Sequence, residues 1–390
     1  MKKQVLFVVD EQMYGGVSEV LKNILRLLDY TKIDVDLLIL HNRGDGLEKI
    51  PTEVNVLTGT PFFSVIDLPI KTIIKSKNIR DIVNKIKLIL SMKTGYIKKK
   101  IRKERNKILS KKYQLEIAFK DGFCPIFTAY GDAEKKVNWL HVDYATVDYT
   151  AHYHNLFLDV YNKIDTIIAI TEDVKKTFCS IYPIEEKVQV IENAIDVDGI
   201  KEKAKAFSVD YDTTKLNLIM VGRIAYQKAY PRLIRQMAKL KKEERLKENV
   251  VLHIVGDGEE IEEVKRLIQE NHLQKNVQLH GYQKNPYPYI ASADMLLLTS
   301  YYEGLGLTLY EAILLGVPTF ATKFANVEKT LANGKYGKIV ENTEEGIYEG
   351  LKQILEDKDR IKVLKEQTKG FIYTKNKEIK EQIKQLIEEN

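Results

Sequence analysis

Two doubly wound α/β domains in tandem are the fold that this sequence predicts, on three observations. Short apolar runs alternate with helix-period stretches from end to end, which is the pattern of parallel strands wrapped by helices. The alternation occurs twice, once in each half, with a polar, Asp-rich stretch between. With 390 residues and 44% hydrophobic content, the chain has material for two ordinary cores.

The first half opens with a strand over 4–9, whose apolar run Val5-Leu6-Phe7-Val8-Val9 ends at Asp10 as a buried strand ends. That run is too short for a signal-peptide core with its cleavage site, and no run approaches the ~18 apolar residues of a spanning helix, so the expected location is the cytoplasmic side. A helix over 17–28 and a strand over 34–40 follow. Further strands fall at 115–119, 136–140 and 166–170, where Thr171-Glu172 opens another helix. In the second half, strands are expected at 216–221, 250–255, 277–280, 294–298, 319–321 and 338–340. The polar stretch around 192–212 suggests domains over 1–195 and 215–372, a linker over 196–214, and a cleft between the domains. Over 373–390, Ile379, Ile383, Leu386 and Ile387 share one face at helical spacing, as in a surface helix with one buried stripe.

Charge is uneven. Between Lys71 and Lys112 sixteen Lys or Arg stand against Asp81 and Glu104, a net +14, so the rest of a chain of net +6 carries −8. Ile73, Ile74, Ile82, Ile86, Ile89, Leu90, Ile97, Ile101 and Leu109 interleave with these cations, giving basic amphipathic helices inserted near 71–112. Such helices suit an anionic membrane face, with Lys98, Lys99, Lys100, Arg102 and Lys103 as the docking cluster, or form a solvated face. Nucleic acid is not expected as a partner, because aromatic residues that stack bases are almost absent there apart from Tyr96. Cys124 and Cys179 stand in separate apolar or helical contexts without metal-ligand spacing, so both read as reduced thiols.

The chemistry concentrates where the apolar run Met295-Leu296-Leu297-Leu298 is followed by Ser300-Tyr301-Tyr302-Glu303-Gly304-Leu305-Gly306-Leu307-Thr308-Leu309-Tyr310-Glu311. A strand stops, a glycine-rich turn carries one carboxylate, and a helix starts that carries a second. Gly304 and Gly306 permit positive φ and close approach of a ligand, while the helix-start N–H groups near Leu307 and Thr308 suit a phosphate. Glu303 and Glu311 then accept hydrogen bonds from a sugar or ribose diol. The strand over 216–221 ends in Gly222-Arg223, with Lys228 five positions on; two cations beside such a turn suit a diphosphate. In an open parallel sheet these strand ends converge on one crevice.

These residues resemble the retaining nucleotide-sugar glycosyltransferases of the GT-B fold that carry a Glu-x7-Glu motif (glycosyltransferase family 4-like). Glu303 and Glu311 have that spacing, and Val221-Gly222-Arg223 with Lys228 matches the Gly-Arg…Lys element. Val255-Gly256-Asp257-Gly258, Gly15-Gly16-Val17-Ser18-Glu19, Trp139-Leu140-His141-Val142-Asp143 and Asn193-Ala194-Ile195-Asp196 match further elements in order, over nearly the whole chain. The resemblance implies a last helix that crosses back onto the first domain and a nucleobase near the backbone of Gly281 and Tyr282. It also implies that Glu311 contacts the ribose, Glu303 contacts hydroxyls of the transferred sugar, and His141 lies near the donor sugar. Gly15 and Gly16 start a helix that faces a phosphate or the acceptor, and as turn glycines they also have a structural reading, as do Gly256 and Gly258. The chain departs from the family pattern at Ala229, Ala194 and Phe324-Ala325-Asn326, where glycine is usual.

The function so implied is retaining transfer of a hexose or N-acetylhexosamine from a nucleotide diphosphate, UDP by default, to a membrane-linked glycan acceptor in capsule, exopolysaccharide or lipopolysaccharide assembly. Arg223, Lys228 and the helix N–H groups carry the leaving-group charge, so no metal or other cofactor is expected, and the enzyme is expected to sit peripherally on the inner face of the cell membrane. The other readings are a glycolipid synthase with a simple lipid acceptor, a nucleotide-sugar epimerase of the same fold, and a catalytically silent partner subunit. A glycoside hydrolase also uses paired carboxylates, but it has no use for the adjacent cations.

Overall fold

A computed structural model of the chain describes residues 2–11, 16–41, 50–66, 68, 70–75, 77–144 and 151–389. The chain divides into two compact units, Met1–Ile195 with Lys375–Asn390, and Asp196–Thr374.

The first unit is built on β1 (Lys3–Val9), β2 (Ile33–Ile39), β3 (Asn55–Thr58), β4 (Leu115–Ala118), β5 (Lys135–Leu140), β6 (Thr166–Ala169) and β7 (Val188–Val190). Among the described residues they form one sheet in the order β3-β2-β1-β4-β5-β6-β7. Every pairing is parallel, with Val5 opposite both Val35 and Leu115. Residues 5–9 of β1 are all buried, which is why this central strand is continuously apolar. Around the sheet run α1 (Gly16–Leu27), α2 (Ile70–Lys75), α3 (Ile79–Lys93), α4 (Ile97–Ile108), α5 (Phe123–Ala129), α6 (His154–Asn162) and α7 (Glu172–Ile181). The Thr171 side chain accepts from the Val174 N–H at 3.1 Å and so starts α7 where its sequence indicates.

The basic insertion is tied to the sheet by a buried ion pair. Arg105 of α4 donates from Nη1 and Nη2 to the two carboxylate oxygens of Glu116 on β4 at 2.8 and 2.7 Å, and its guanidinium lies over the Phe127 ring. Burial works against the Glu104 carboxylate, but hydrogen bonds from Lys100, Lys107 and Thr60 outweigh it and lower its pKa to about 2.

In the second unit, β8 (Leu216–Val221), β9 (Val250–Val255), β10 (Val277–Leu279), β11 (Met295–Leu298), β12 (Thr319–Thr322) and β13 (Gly337–Val340) form a sheet in the order β10-β9-β8-β11-β12-β13. Its helices are α8 (Val197–Lys203), α9 (Tyr230–Lys242), α10 (Ile261–Glu270), α11 (Tyr287–Ala291), α12 (Leu307–Leu314), α13 (Val327–Thr330), α14 (Glu344–Glu356) and α15 (Lys358–Lys369). One face packs a core that includes Leu218, Met220, Leu252, Ile254, Leu233 and Ile347. The stretch 196–214, read from sequence as a linker, belongs to this unit. Asp196 caps α8 by accepting from the Gly199 N–H at 3.0 Å, and Tyr211 stacks on His253 with ring centroids 3.8 Å apart. Two local contacts thus fix a stretch whose polarity suggested a loose connector.

The chain ends in α16 (Asn376–Lys384), which lies in the first unit. Ile379, Ile383, Leu386 and Ile387 are all buried there. Asn376 exchanges two hydrogen bonds with the Ile195 backbone at 3.0 and 2.7 Å, and Lys375 reaches both carboxylate oxygens of Glu192 at 2.7 Å.

Candidate active site

Strand order locates the crevice. In the second unit the chain lays β9 and β10 on one side of β8 and then places β11 on the other, so the sheet changes direction between β8 and β11. Ligands of open parallel sheets bind beyond the carboxyl ends of the strands at such a point. Gly222-Arg223 follows β8 there, and Ser300 to Glu303 follows β11.

Those two strand ends are bound together. Lys228 Nζ donates to Glu303 Oε1 at 2.7 Å, and Ser300 Oγ donates to the same oxygen at 2.5 Å. Both contacts use Oε1, which leaves Oε2 of a buried carboxylate for a ligand hydroxyl. The loop carrying Glu303 is held from behind: the Gln227 amide donates to Tyr302 O at 3.0 Å and the Asn342 amide to Tyr301 O at 2.9 Å. Buried Arg232 donates to Asn342 Oδ1 at 2.8 Å and lies over the Tyr301 ring. Arg223 is different. Its guanidinium is exposed and meets exposed Glu259 at 3.1 Å, a pair that a stronger anion easily displaces.

Gly306 precedes α12 with φ +66°, as the turn reading required. Gly304 is not among the positive-φ residues, so only one of the two expected left-handed glycines takes that conformation. The N–H groups of Leu307 and Thr308 have no backbone acceptor among the described residues, as at an open helix start, and Leu305 just before them is buried. Glu311, on the second turn, accepts from the Tyr287 hydroxyl at 3.1 Å. Gly281 has φ +66° with open space around its Cα, and Tyr282 beside it is half exposed.

The Gly256-Asp257-Gly258 turn now has a defined duty. A Cβ on Gly256 would stand 1.9 Å from Gly222 O, and one on Gly258 would stand 2.4 Å from Ile224 O. The two turns touch backbone to backbone, and Ile224 N–H donates to Asp257 O at 2.9 Å. The departures from the family pattern also find places. Ala229, immediately after Lys228, sits at φ +55°, where a side chain costs about 1 kcal/mol relative to glycine, and Asn326 sits at φ +63°, which Asn tolerates. The Phe324 ring comes within 3.0 Å of where a Gly306 Cβ would stand, so this aromatic replacement lies against the turn.

In the first unit, the corresponding change of direction lies between β1 and β4. Lys120, after β4, donates to Asp10, after β1, at 2.6 Å. A pocket beside them is lined by Val9, Glu11, Leu21, Lys22, Phe119 and Lys120 among others. His141, after β5, donates its backbone N–H to Asp121 at 2.9 Å and sets its ring at a tilt against Phe119, while its ring Nε2 is buried without a partner among the described residues. Burial, reinforced by the Lys120 charge, lowers the His141 pKa to about 3. Burial also raises Asp121 to about 6, against the hydrogen bonds from His141 N–H and the Tyr144 hydroxyl. Gly16 opens α1, and Gly15 lies outside the described residues. The His141 imidazole is therefore expected to stay neutral from pH 8 down to 5, with ring nitrogen shifts in ¹⁵N NMR that do not move. An inflection near 6.5 would contradict the buried placement. The stability linkage has a definite sign: with the folded pKa below the unfolded one, His141 weakens the fold progressively as pH falls from about 6.5 toward 3.

Ser300, Gln227, Asn342, Arg232 and Tyr287 have no motif signal of their own. Only Ser300 and Gln227 stand near recognisable residues, and the others reach the site through the fold.

Residues 201–371 match the family model for glycosyl transferases group 1. Among curated proteins, N-acetylgalactosamine-N,N'-diacetylbacillosaminyl-diphospho-undecaprenol 4-alpha-N-acetylgalactosaminyltransferase of Campylobacter jejuni is 30% identical over 58% of this chain and 61% of its own. The matches span 40% to 61% of the length of the first curated relatives. Among solved structures, Anabaena HepE in complex with UDP-glucose superposes with a TM-score of 0.71 at 16% identity, over 99% of this chain and 100% of that one. WaaG, a glycosyltransferase involved in lipopolysaccharide biosynthesis, gives 0.65 at 15% identity over 98% and 99%. The two doubly wound sheets are those of the GT-B fold, and residues 201–371 are similar to the glycosyl transferases group 1.

Proposed function

We propose that this protein is a retaining, metal-independent glycosyltransferase that moves a hexose or N-acetylhexosamine from a UDP-sugar to a membrane-linked glycan in the assembly of a cell-surface polysaccharide. The observation that carries this reading is the Lys228–Glu303 contact of 2.7 Å at the point where the second sheet changes direction. It puts a cation and a hydrogen-bond acceptor side by side at the mouth of a helix-start anion site.

As the bond from the anomeric carbon to the diphosphate oxygen breaks, charge grows on the departing diphosphate. Lys228, Arg223 and the N–H groups of Leu307 and Thr308 stabilise it. Glu303 Oε2 accepts from a hydroxyl of the transferred sugar, and Glu311, steadied by Tyr287, accepts from the ribose. The acceptor hydroxyl adds to the face that the diphosphate leaves, its proton passing to a phosphate oxygen. Neutral His141 has a free ring nitrogen suited to a sugar hydroxyl. Two further observations support the reading: HepE is described with UDP-glucose, and the Campylobacter relative is named for a diphospho-undecaprenol acceptor.

The test is transfer from UDP-sugars to a polyprenyl-diphosphate-linked sugar, with the product's anomeric coupling read by NMR and a chelator present in one arm. Retained configuration and an unchanged rate with chelator are expected. An inverted product, or a rate lost to chelator and restored by magnesium, would contradict the leaving-group chemistry. A sugar-altered product from donor alone would indicate an epimerase.

A further inference from the structure

Helix α3 buries Leu88 on its inner side and carries a second apolar stripe on its outer side. Ile79, Val83, Ile86 and Leu90 are exposed over 77%, 40%, 53% and 56% of their surface, and their spacing of four, three and four residues sets them in one stripe. Three polar residues of the same helix bond to the segment before it, while Arg80, Lys87 and Lys93 are exposed beside the stripe. Asn84 donates to Pro61 O at 3.2 Å, Lys85 donates to Val65 O at 3.1 Å, and Asp81 accepts from Ser64 Oγ at 3.3 Å. Exposed Ile70 and Ile74 on α2 present two further apolar side chains. A surface helix ordinarily buries its apolar side, and a run of exposed aliphatic residues marks a surface that meets something.

Charge identifies what it meets. Lys71, Lys75, Lys77, Arg80, Lys87 and Lys93 accompany the stripe, and none of them forms an ion pair among the described residues. The one carboxylate on these two helices, Asp81, is engaged with Ser64. A second copy meeting the same face would bring like charge against like charge. Nucleic acid would set aliphatic side chains against phosphate with nothing to stack on the bases. An anionic lipid surface satisfies both components, with the acyl boundary for the stripe and headgroup phosphates for the cations.

We propose that the α2–α3 face docks the enzyme on an anionic membrane, with Ile79, Val83, Ile86 and Leu90 entering the acyl boundary and Arg80, Lys87 and Lys93 on headgroup phosphates. The proposal takes its purpose from the membrane-linked acceptor proposed above, although its geometry stands alone. It also moves the docking site from the α4 cluster that the sequence singled out. On α4, Lys98 pairs with Asp159 at 3.0 Å and Lys100 with Glu104 at 2.8 Å, and Ile97 and Ile101 are buried. Lys99, Arg102 and Lys103 are exposed there, and Tyr96 is the only exposed large hydrophobic residue among the described residues 94–112.

The experiment is co-sedimentation of the full chain with phosphatidylglycerol–phosphatidylcholine vesicles and with pure phosphatidylcholine, at low salt and at roughly 0.5 M salt, where surface charge is screened. The wild type should bind the anionic vesicles and keep part of that binding at high salt. Ile79→Ser/Val83→Ser/Ile86→Ser/Leu90→Ser should lose about tenfold or more in partition, including the salt-resistant part, because each buried methylene contributes to insertion. Lys98→Gln/Lys99→Gln/Arg102→Gln/Lys103→Gln should lose less than about threefold. Wild-type binding by the serine variant, no vesicle binding by the wild type, or loss confined to the α4 variant would each overturn the proposal. So would a serine variant whose only change is from a dimer to a monomer. Circular dichroism and UDP titration on each variant report folding and donor binding separately. The vesicle assay contains no sugar nucleotide, so its failure leaves the donor reading standing, and failure of sugar transfer leaves the docking result standing.

Discussion

Lys228→Ala should lower turnover about 100- to 1,000-fold with the protein still folded, the loss typical of one preorganised partner of a developing anion. The side chain is mostly buried and its ammonium lies 2.7 Å from Glu303 Oε1, so both its position and its charge are fixed before substrate arrives. Removing it also leaves a buried carboxylate without its cation, which by itself is destabilising. Lys228→Ala/Glu303→Gln separates the two effects: the double variant should recover thermal stability but not turnover. Arg223→Ala should cost about 100-fold through the leaving group alone, because among the described residues its ion pair is the exposed one with Glu259. Near-normal turnover of Lys228→Ala, with denaturation curves unchanged, would remove the diphosphate assignment.

Gly256→Ala should be the most damaging single methyl in the second unit. The new Cβ would stand 1.9 Å from Gly222 O on a backbone at φ +153°, so the turns after β8 and β9 cannot both keep their places. A clash of backbone on backbone has no flexible side chain to yield, and about 3 kcal/mol or more of stability should be lost. Because Arg223 follows Gly222, nucleotide affinity should fall with it. Gly281→Ala is the internal comparison: its φ is +66° but nothing lies within 4 Å, so the cost should be about 1 kcal/mol. Equal melting temperatures for the two variants would show that the turns do not interlock.

Most strands that the sequence announced are buried along most of their length, although the announced edge strand at 277–279 is largely exposed. Residues 5–9 and 295–298 read as unbroken apolar runs, and 216–221 and 250–255 as runs interrupted only by Asn217 and His253, because these strands are almost wholly buried. Strands β3 and β7 were not legible, since both lie at an edge of the first sheet and most of their side chains are exposed or partly exposed. In the site, Glu303, Glu311, Arg223 and Lys228 were legible because their chemistry is unusual beside glycines at strand ends. Ser300, Asn342 and Tyr287 were not, because a hydroxyl or an amide becomes informative only when the fold brings it to a partner 42 or 24 residues away, as with Asn342 on Ser300 O and Tyr287 on Glu311. The outward stripe of α3 escaped for a related reason: periodicity reveals an apolar stripe but not which way it turns.

The central claim is that the crevice between β8 and β11 binds a nucleotide diphosphate sugar. Isothermal titration of UDP, GDP, the UDP-hexoses, their N-acetylated forms and GDP-mannose into the wild type and Glu311→Ala tests it most directly. One nucleotide, UDP by this account, should bind the wild type and bind about tenfold or more weakly to Glu311→Ala, which loses a charged acceptor for the ribose hydroxyls. Equal affinity in the two proteins, or binding of none of these ligands to the wild type, would contradict it.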